Sequence, residues 1–342
     1  MKICYLHLGF HKTATTSIQL TCRNNSETLK KQNIEMPIFR NEKNKISANH
    51  TGQLKNIFDP SNQKLFYKSK SKAIKPDQNN SLNGHIYEFH RLLRSEHDIF
   101  LSGEGIPLFR KDSLERMIIE IEAQGFQIYP FALVRSPYAY LNSALQQTIK
   151  GGRHHPWIGL GEHQSPNFGI VDTSQKLPTT VPSIKRLQSI FANSIHFYPF
   201  NEATKEPQGP AIFVLKNILK QDNLNEFKLA NANQSLSNLA TRVQNMLNKD
   251  LKRPGNHDLK KLTHNLGCKP DAEKFLLTLQ EFQAIEPQFK EIQASMNQLL
   301  GQNFTAERIQ FSDNNSLAVI NKNLVNLSRF LYNYATKKSI QQ

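Results

Sequence analysis

The fold is decided by one stretch near the start of the chain, Ile3-Cys4-Tyr5-Leu6-His7-Leu8-Gly9-Phe10-His11-Lys12-Thr13-Ala14-Thr15-Thr16-Ser17. Its first six residues form a short apolar run of the kind that a buried parallel strand has. Gly9 ends the run, and Ile18, Cys22 and Leu29 then recur on one face of a helix. A strand that feeds a helix through a glycine turn predicts an α/β fold.

Three more apolar runs extend this pattern: Asp98–Ser102, Gln127–Val134 and Ser194–Tyr198. Helical periodicity fills the intervals between them, which predicts a P-loop-like parallel sheet flanked by helices. Beyond residue 205 the apolar stripes are helical only, and Pro287 is expected to kink a helix or to start a new one. We therefore expect an α/β core over residues 1–205 and a helical C-terminal part over 206–342 that packs on it.

The composition excludes several classes of protein and suggests a partner. Hydrophobic residues make up 38% of the 342 residues, too many for a wholly disordered chain, and Gly and Cys are too few for a collagen or a disulfide scaffold. The formal charge of +15 predicts an anionic partner. The odd number of cysteines and the absence of a signal sequence or a long apolar run predict a cytoplasmic protein without a transmembrane segment.

The glycine turn before the first helix has the features of an anion site. A helix N-terminus presents backbone N–H groups and the positive end of its dipole, Lys12 adds a charge, and hydroxyl groups follow at Thr13, Thr15, Thr16 and Ser17. The pattern is not that of a nucleoside-triphosphatase loop, because Lys12 follows Gly9 by only three positions.

A second anion site is predicted where the third apolar run ends. Arg135 stands at the tip of this strand, and Ser136-Pro137 opens a helix on which Ser143 lies on the polar face. An arginine at the place of a magnesium-binding carboxylate points to a second phosphate, held by the guanidinium fork.

Together these two motifs resemble those of a known family. His11-Lys12-Thr13-Ala14-Thr15-Thr16-Ser17-Ile18-Gln19 is similar to the 5′-phosphosulfate loop of bacterial sulfotransferases, and residues 134–143 look like their 3′-phosphate motif. These enzymes use 3′-phosphoadenosine 5′-phosphosulfate (PAPS), release 3′,5′-adenosine bisphosphate (PAP) and need no metal. Asn233 to Ser237 is also similar. Ala14 replaces the usual glycine, but a residue with helical dihedrals tolerates the methyl group, so we expect binding to survive.

The resemblance implies a role for each matching residue. Gly9 and the amides of Thr13, Ala14, Thr15, Thr16 and Ser17 would hold the 5′-phosphosulfate, with Lys12 neutralising charge on the leaving phosphate. Arg135 and Ser143 would bind the 3′-phosphate. The acceptor would be a hydroxyl, or less readily an amine, on a carbohydrate or glycoconjugate such as a glycolipid.

An acceptor hydroxyl needs a base, and two residues are candidates. Glu104 follows the strand Asp98–Ser102 and should reach the same edge of the sheet, and His11 lies inside the loop. A structural role for either residue is the competing interpretation. Ser102 is expected to help orient a substrate.

Two stretches have no clear secondary structure in the sequence. From Arg40 to Lys75 there are nine basic and two acidic residues, which fits either a solvated face or a rim that attracts an anionic glycan. We treat 40–85 as a basic insertion and 151–183 as a substrate loop, in which Arg153, His154 and His155 could touch cofactor or acceptor. Nucleic acid is not expected, because few aromatic residues accompany the basic ones.

Two alternatives from other classes stay open. An ATP-dependent kinase would need a magnesium-binding carboxylate near Lys12 and Thr13. A non-catalytic protein that binds polyanions through its charge would not discriminate between nucleotides. The chain is expected to be a monomer or a homodimer.

Overall fold

The structure, a computed structural model, describes residues 1–70, 81–159, 176–230, 236–250 and 273–312, together with 324, 325 and 328. It divides into two compact units, of which the first comprises Met1–Arg135 and Thr180–Asn233 and the second Ser136–Thr179 and Gln234–Gln342. The boundary predicted at residue 205 therefore falls inside the first unit. The stretch Asn233 to Ser237 lies largely outside the described residues.

The first unit is built on a parallel sheet of five strands in the order β2-β3-β1-β4-β5. The strands are β1 (Lys2–His7), β2 (Ile34–Glu35), β3 (Asp98–Ser102), β4 (Phe126–Val134) and β5 (His196–Pro199). The α/β fold predicted from the sequence is thus confirmed. The two-residue strand β2 was not predicted, because so short a segment carries no periodicity.

Strand β1 is the centre of this sheet. Tyr5 pairs with Phe100 of β3 on one side and with Tyr129 of β4 on the other. Cys4 and Leu6 are fully buried, because helices cover both faces of a parallel sheet. The carboxyl ends of β1, β3 and β4 therefore meet at one edge, where the predicted site residues follow.

Nine helices of the first unit are described. They are α1 (Thr15–Asn24), α2 (Ser26–Lys31), α3 (Thr51–Phe58), α4 (Gln63–Lys70), α5 (Leu82–Leu93), α6 (Lys111–Glu122), α8 (Val181–Ile190), α9 (Phe200–Lys205) and α10 (Pro210–Phe213), the last continued by a π-helical turn over Val214–Ile218. Residues of α1, α10 and this turn form one apolar cluster with the sheet. Part of the chain beyond residue 205 thus completes the core of the first unit.

The basic stretch 40–85 is more regular than its composition indicated. It contains α3, α4 and the start of α5. Leu54, Ile57, Phe58 and Phe66 are fully buried, and the ring of Phe58 packs edge-on against Phe89 at 5.2 Å. The numerous Asn, Lys and Ser residues lie between these anchors and obscure the i, i+3, i+4 spacing of Leu54, Ile57 and Phe58.

The second unit contains the helices α7 (Pro137–Lys150), α11 (Asn238–Asp250), α12 (Leu279–Gln283) and α13 (Glu286–Leu300) in its described residues. As expected, Pro287 stands in the first turn of a new helix, α13. The predicted stripe of α7, with Tyr138, Leu141, Leu145 and Ile149, packs in a core that includes Phe282 and Phe289. The helical C-terminal region is thereby confirmed.

Among the described helices none combines the length and the apolar character that crossing a membrane requires.

Candidate functional site

The segment that runs from the end of β1 through the first turn of α1, residues 8–17, lies at the carboxyl edge of the sheet and is called the anion loop here. Leu8 N–H donates to the carbonyl of Phe131 at 2.9 Å, and Phe10 N–H donates to that of Leu133 at 3.2 Å. These bonds fix the start of the loop on β4. After β1 the chain continues to β2 on one side of the sheet, and after β4 it continues to β5 on the other side, so the loops after β1 and β4 diverge. Ligands of open α/β sheets bind in the crevice between two such diverging loops.

The backbone of the anion loop alternates between positive and negative φ angles. Gly9, Lys12 and Ala14 have positive φ angles of 89°, 68° and 57°, whereas Thr13 between the last two does not. Such alternation turns successive N–H groups towards the same side and makes a concave anion site. From the sequence, Ala14 was expected to have the dihedral angles of a helix, and for a right-handed helix this expectation is wrong. Ala14 adopts the left-handed conformation, which glycine enters without strain.

Two of the predicted hydroxyl donors serve the loop itself. The hydroxyls of Thr13 and Thr15 donate to the same acceptor, the carbonyl oxygen of Phe10, at 2.6 and 2.9 Å. Both side chains are buried, at 0% and 2% exposure. They therefore hold the loop in its concave shape rather than point to a ligand.

Helix α1 continues directly from the anion loop. Its first intrahelical bond runs from Ile18 N–H to the carbonyl of Ala14, so Thr15, Thr16 and Ser17 make up the first turn. This turn has no acidic side chain that would offset the positive end of the helix dipole. Half-buried Lys12 adds its charge to the loop just before the helix.

Arg135 is tied to the anion loop by a direct contact. Its Nε donates to the carbonyl oxygen of Lys12, and the guanidinium lies over the ring of Phe200 at 4.5 Å. Burial lowers the pKa of Arg135 to about 10, because no carboxylate pairs with it among the described residues. A half-buried cation without a carboxylate partner would be stabilised by an anionic ligand. The tips of β1 and β4 thus form one site.

Ser143 belongs to the second unit, where it lies half-buried on α7. The beginning of α7 is capped by Glu307, whose carboxylate accepts from Tyr138 N–H at 2.6 Å and Ala139 N–H at 3.2 Å. Burial raises the pKa of Glu307, although these bonds oppose the shift. The sequence carries no signal for this cap, because Glu307 is remote from α7 along the chain.

Glu104 follows β3 and lies against the anion loop. A Cβ atom on Gly9 would be 3.4 Å from Cα of Glu104, so the two backbones approach closely. Oε2 of Glu104 is 3.4 Å from Nδ1 of His11. The hydrogen bond from His11 is the main cause that lowers the pKa of Glu104, with help from the charge of Lys12 and against the effect of burial. The two candidate bases therefore form a pair.

A buried polar cluster supports this edge of the sheet. Ser102 is fully buried; its hydroxyl shares a 2.8 Å hydrogen bond with Nδ1 of His7 and accepts from the amide of Gln19 at 3.1 Å. The backbone N–H of Ser102 donates to Nδ1 of the His50 ring at 3.1 Å, and the backbone N–H of His50 donates to the carbonyl of Ser102. Burial lowers the pKa of His7 to about 4 and that of His50 to about 3. Ser102 thus lies below the site surface.

The sequence-based reasoning did not identify His7 or His50, and Gln19 entered only as part of the motif. In the sequence His7 looks like one more residue of an apolar strand. The feature that could have identified it is its polar side chain inside the apolar run of residues 3–8. His50 lies in the polar stretch that was interpreted as irregular. Its role depends on a long-range contact with Ser102, which no local pattern encodes.

Arg153, His154 and His155 lie in the second unit. Arg153 is exposed and His154 half-buried, whereas His155 is buried at 7% exposure. Nε2 of His155 is 2.8 Å from the Thr148 hydroxyl, and burial lowers its pKa to about 4. These contacts give His155 a packing function. About half of the predicted substrate loop, residues 160–175, is outside the described residues.

Comparisons of this chain with protein-family models, with curated proteins and with solved structures give no match. The functional interpretation therefore depends on the residues of the site and on their geometry.

Proposed function

We propose that this protein is a PAPS-dependent sulfotransferase that moves a sulfuryl group to a hydroxyl of a carbohydrate or glycoconjugate. An amine is the secondary acceptor. The anion loop would hold the 5′-phosphosulfate and Arg135 the 3′-phosphate. The buried free thiols of Cys4 and Cys22 are compatible with action in the cytoplasm.

One observation carries this proposal: Arg135 bonds to the carbonyl of Lys12 and has no carboxylate partner among the described residues. A ligand that is bound by both the anion loop and Arg135 has to present negative charge to each of them. PAPS has a phosphosulfate on one side of its ribose and a phosphate on the other. The guanidinium has five N–H donors, of which only Nε is used by Lys12, so the Nη atoms can bind phosphate.

The transfer step follows from charge and proton balance. The acceptor oxygen attacks sulfur in line, and its proton passes to the pair formed by Glu104 and His11. The bond between sulfur and the bridging oxygen breaks, and its electron pair stays on the 5′-phosphate of PAP. Lys12 and the dipole of α1 stabilise that developing charge, so the protein acts mainly by positioning and electrostatics.

Thermal unfolding with nucleotides tests the proposal. PAP at about 100 times its dissociation constant should add about 2.7 kcal/mol of stability, on the order of 5–10 °C in Tm for a unit of this size. Adenosine 5′-monophosphate at the same concentration should shift Tm less, and magnesium should change nothing. Arg135→Ala should remove the preference for PAP over the monophosphate, whereas Arg110→Ala, at the exposed residue just before α6, should keep it.

The same measurement separates the two rival functions. In a kinase, Glu104, which follows β3 beside β1, would have to serve as the magnesium-binding carboxylate, so a kinase would be stabilised by magnesium and ATP and not by PAP. A protein that only binds polyanions would show no preference among the nucleotides. Either result would overturn the assignment to a sulfotransferase.

A further inference from the structure

The first unit has an open polar cavity of about 460 Å³ beside the N-terminal half of α3. Its wall is formed by the turn at residues 41–43, by α3 and by one residue of α5, namely Asn41, Glu42, Lys43, Gly52, Gln53, Asn56 and His85. Among the residues that the structure describes, no apolar side chain lines it. A volume in the range of small-molecule sites with such a lining fits a compact hydrophilic ligand and not an apolar one.

The side chains of the wall match a ligand rich in hydroxyl groups. Asn56 offers an amide that can both donate and accept hydrogen bonds, as hydroxyls do, and Asn41 can donate through its amide nitrogen, since its Oδ1 already accepts from the backbone N–H groups of Lys43 and Lys45. Gln53 is 7% exposed, and its amide nitrogen donates to the carbonyl of Arg40 at 3.4 Å, so this side chain shapes the wall rather than binding the ligand.

Charge narrows the class of ligand further. Lys43 contributes an ammonium group to the wall, and Glu42 contributes an acceptor for hydroxyls. Lys45 and Lys55 belong to the same basic stretch and are exposed. A sugar that carries a carboxylate satisfies both the amides and the cation, whereas a neutral sugar leaves Lys43 unused.

The wall of the cavity is held in shape before a ligand arrives. Oδ1 of Asn41 accepts from the backbone N–H groups of Lys43 at 3.0 Å and Lys45 at 3.1 Å. Nε2 of His85 is 3.0 Å from the carbonyl of Arg40, to which the amide of Gln53 also donates. Both helices thus anchor the turn, and a rigid wall lowers the entropic cost of binding.

Helix α3 connects this cavity to the loop that carries Glu104. The hydroxyl of Thr51, next to Gly52, accepts from the N–H of Gly105 at 3.1 Å. Cβ atoms placed on Gly103 and Gly105 would approach Thr51 to 2.7 and 2.5 Å, so the loop packs tightly on the start of α3. One helical turn therefore borders the cavity and supports the candidate base.

We infer that this cavity binds an acidic sugar unit of a glycan and thereby presents a neighbouring hydroxyl to the site at Glu104. The binding of the sugar stands on the cavity alone, and its role as acceptor rests on the proposed function. The basic stretch 40–85 is then the part of the chain that selects the acceptor.

Gly52 allows a direct test. A Cβ atom on Gly52 meets nothing within 4 Å, so a larger side chain fills the cavity without displacing the fold. The probe is a tetrasaccharide of alternating glucuronate and N-acetylglucosamine, and its carboxyl-reduced form is the neutral counterpart. Calorimetric titration should show that the wild type prefers the acidic form, that Gly52→Tyr weakens binding at least tenfold, and that Gly52→Ala does not.

Lys43→Gln gives a second and independent readout. This exposed side chain can be changed without loss of fold, and the variant should bind the acidic and the neutral tetrasaccharide equally. Equal binding of the acidic form by the wild type and by Gly52→Tyr, or no binding by the wild type, would overturn the inference. PAP binding by the wild type is measured in parallel. If the wild type does not bind PAP, the proposed function is contradicted, whereas the result with the tetrasaccharide stands separately.

Discussion

Nδ1 of His11 lies 3.4 Å from Oε2 of Glu104, although the two residues follow different strands of the sheet. Their side chains remain 51% and 33% exposed, so an acceptor can reach both. A carboxylate that holds one nitrogen of an imidazole orients the ring and leaves the other nitrogen available for a proton. The two candidate bases are thus in direct contact with each other.

We expect Glu104→Gln and His11→Gln each to lower the turnover number by about 10² to 10⁴, the usual contribution of a positioned base. PAP affinity should change little, because the proposed nucleotide contacts lie in the anion loop and at Arg135. Transfer of radiolabelled sulfate from PAPS to the glycan measures the effect. Glu115→Gln, an exposed residue of α6 paired only with Lys111, is the control. Full turnover in both variants would remove the pair from catalysis.

Ala14→Gly should stabilise the protein. The left-handed conformation of Ala14 costs about 1–2 kcal/mol for an L-residue, and glycine avoids this cost. Part of the gain is cancelled, because glycine has a larger backbone entropy in the unfolded chain and loses it on folding. The position is also the N-cap of α1, where glycine is preferred over alanine. A net gain of roughly 0.5–1 kcal/mol is expected from urea unfolding. A loss of stability in the variant would show that the loop does not adopt this conformation.

The buried histidines of the first unit predict loss of stability in acid. His7 and His50 are uncharged when folded, with pKa values lowered to about 4 and about 3 from the ordinary 6.5. Below pH 6.5 the unfolded chain binds protons that the folded one does not, so stability falls with pH through this window. Each ring contributes about 1.4 kcal/mol per pH unit there. His50→Gln should reduce the slope of unfolding free energy between pH 6 and 4.5 by about one proton, and an unchanged slope would contradict the prediction.

The second unit depends on a buried ion pair. Arg242 donates to both oxygens of Glu281 at 2.6 and 2.9 Å, and the two side chains are 2% and 1% exposed. Removal of either partner leaves an uncompensated buried charge, so Arg242→Met and Glu281→Gln should each lose about 3–5 kcal/mol in urea unfolding. The double variant Arg242→Met/Glu281→Leu should lose less than the sum of the single changes. Additive losses would show that the two residues act independently.

The strands and the anion loop could be predicted from the sequence because their signals are local. An apolar run, a glycine, a lysine and a helical stripe follow each other within the first 29 residues, and the backbone conformations they favour depend on near neighbours. Pro137 and Pro287 marked the starts of α7 and α13 for the same reason. Helices α3 and α4 were missed because polar residues dilute their apolar spacing.

The tertiary structure alone decided which of these residues act together. The contact of Arg135 with Lys12, the pairing of Glu104 with His11 and the bonds between His50 and Ser102 each join segments that are distant along the chain. Such contacts follow from strand order and side-chain packing, which no local pattern specifies. The hydroxyls of Thr13 and Thr15 show the same limit: their residue types predict donors, but only the folded loop determines that both donate to Phe10.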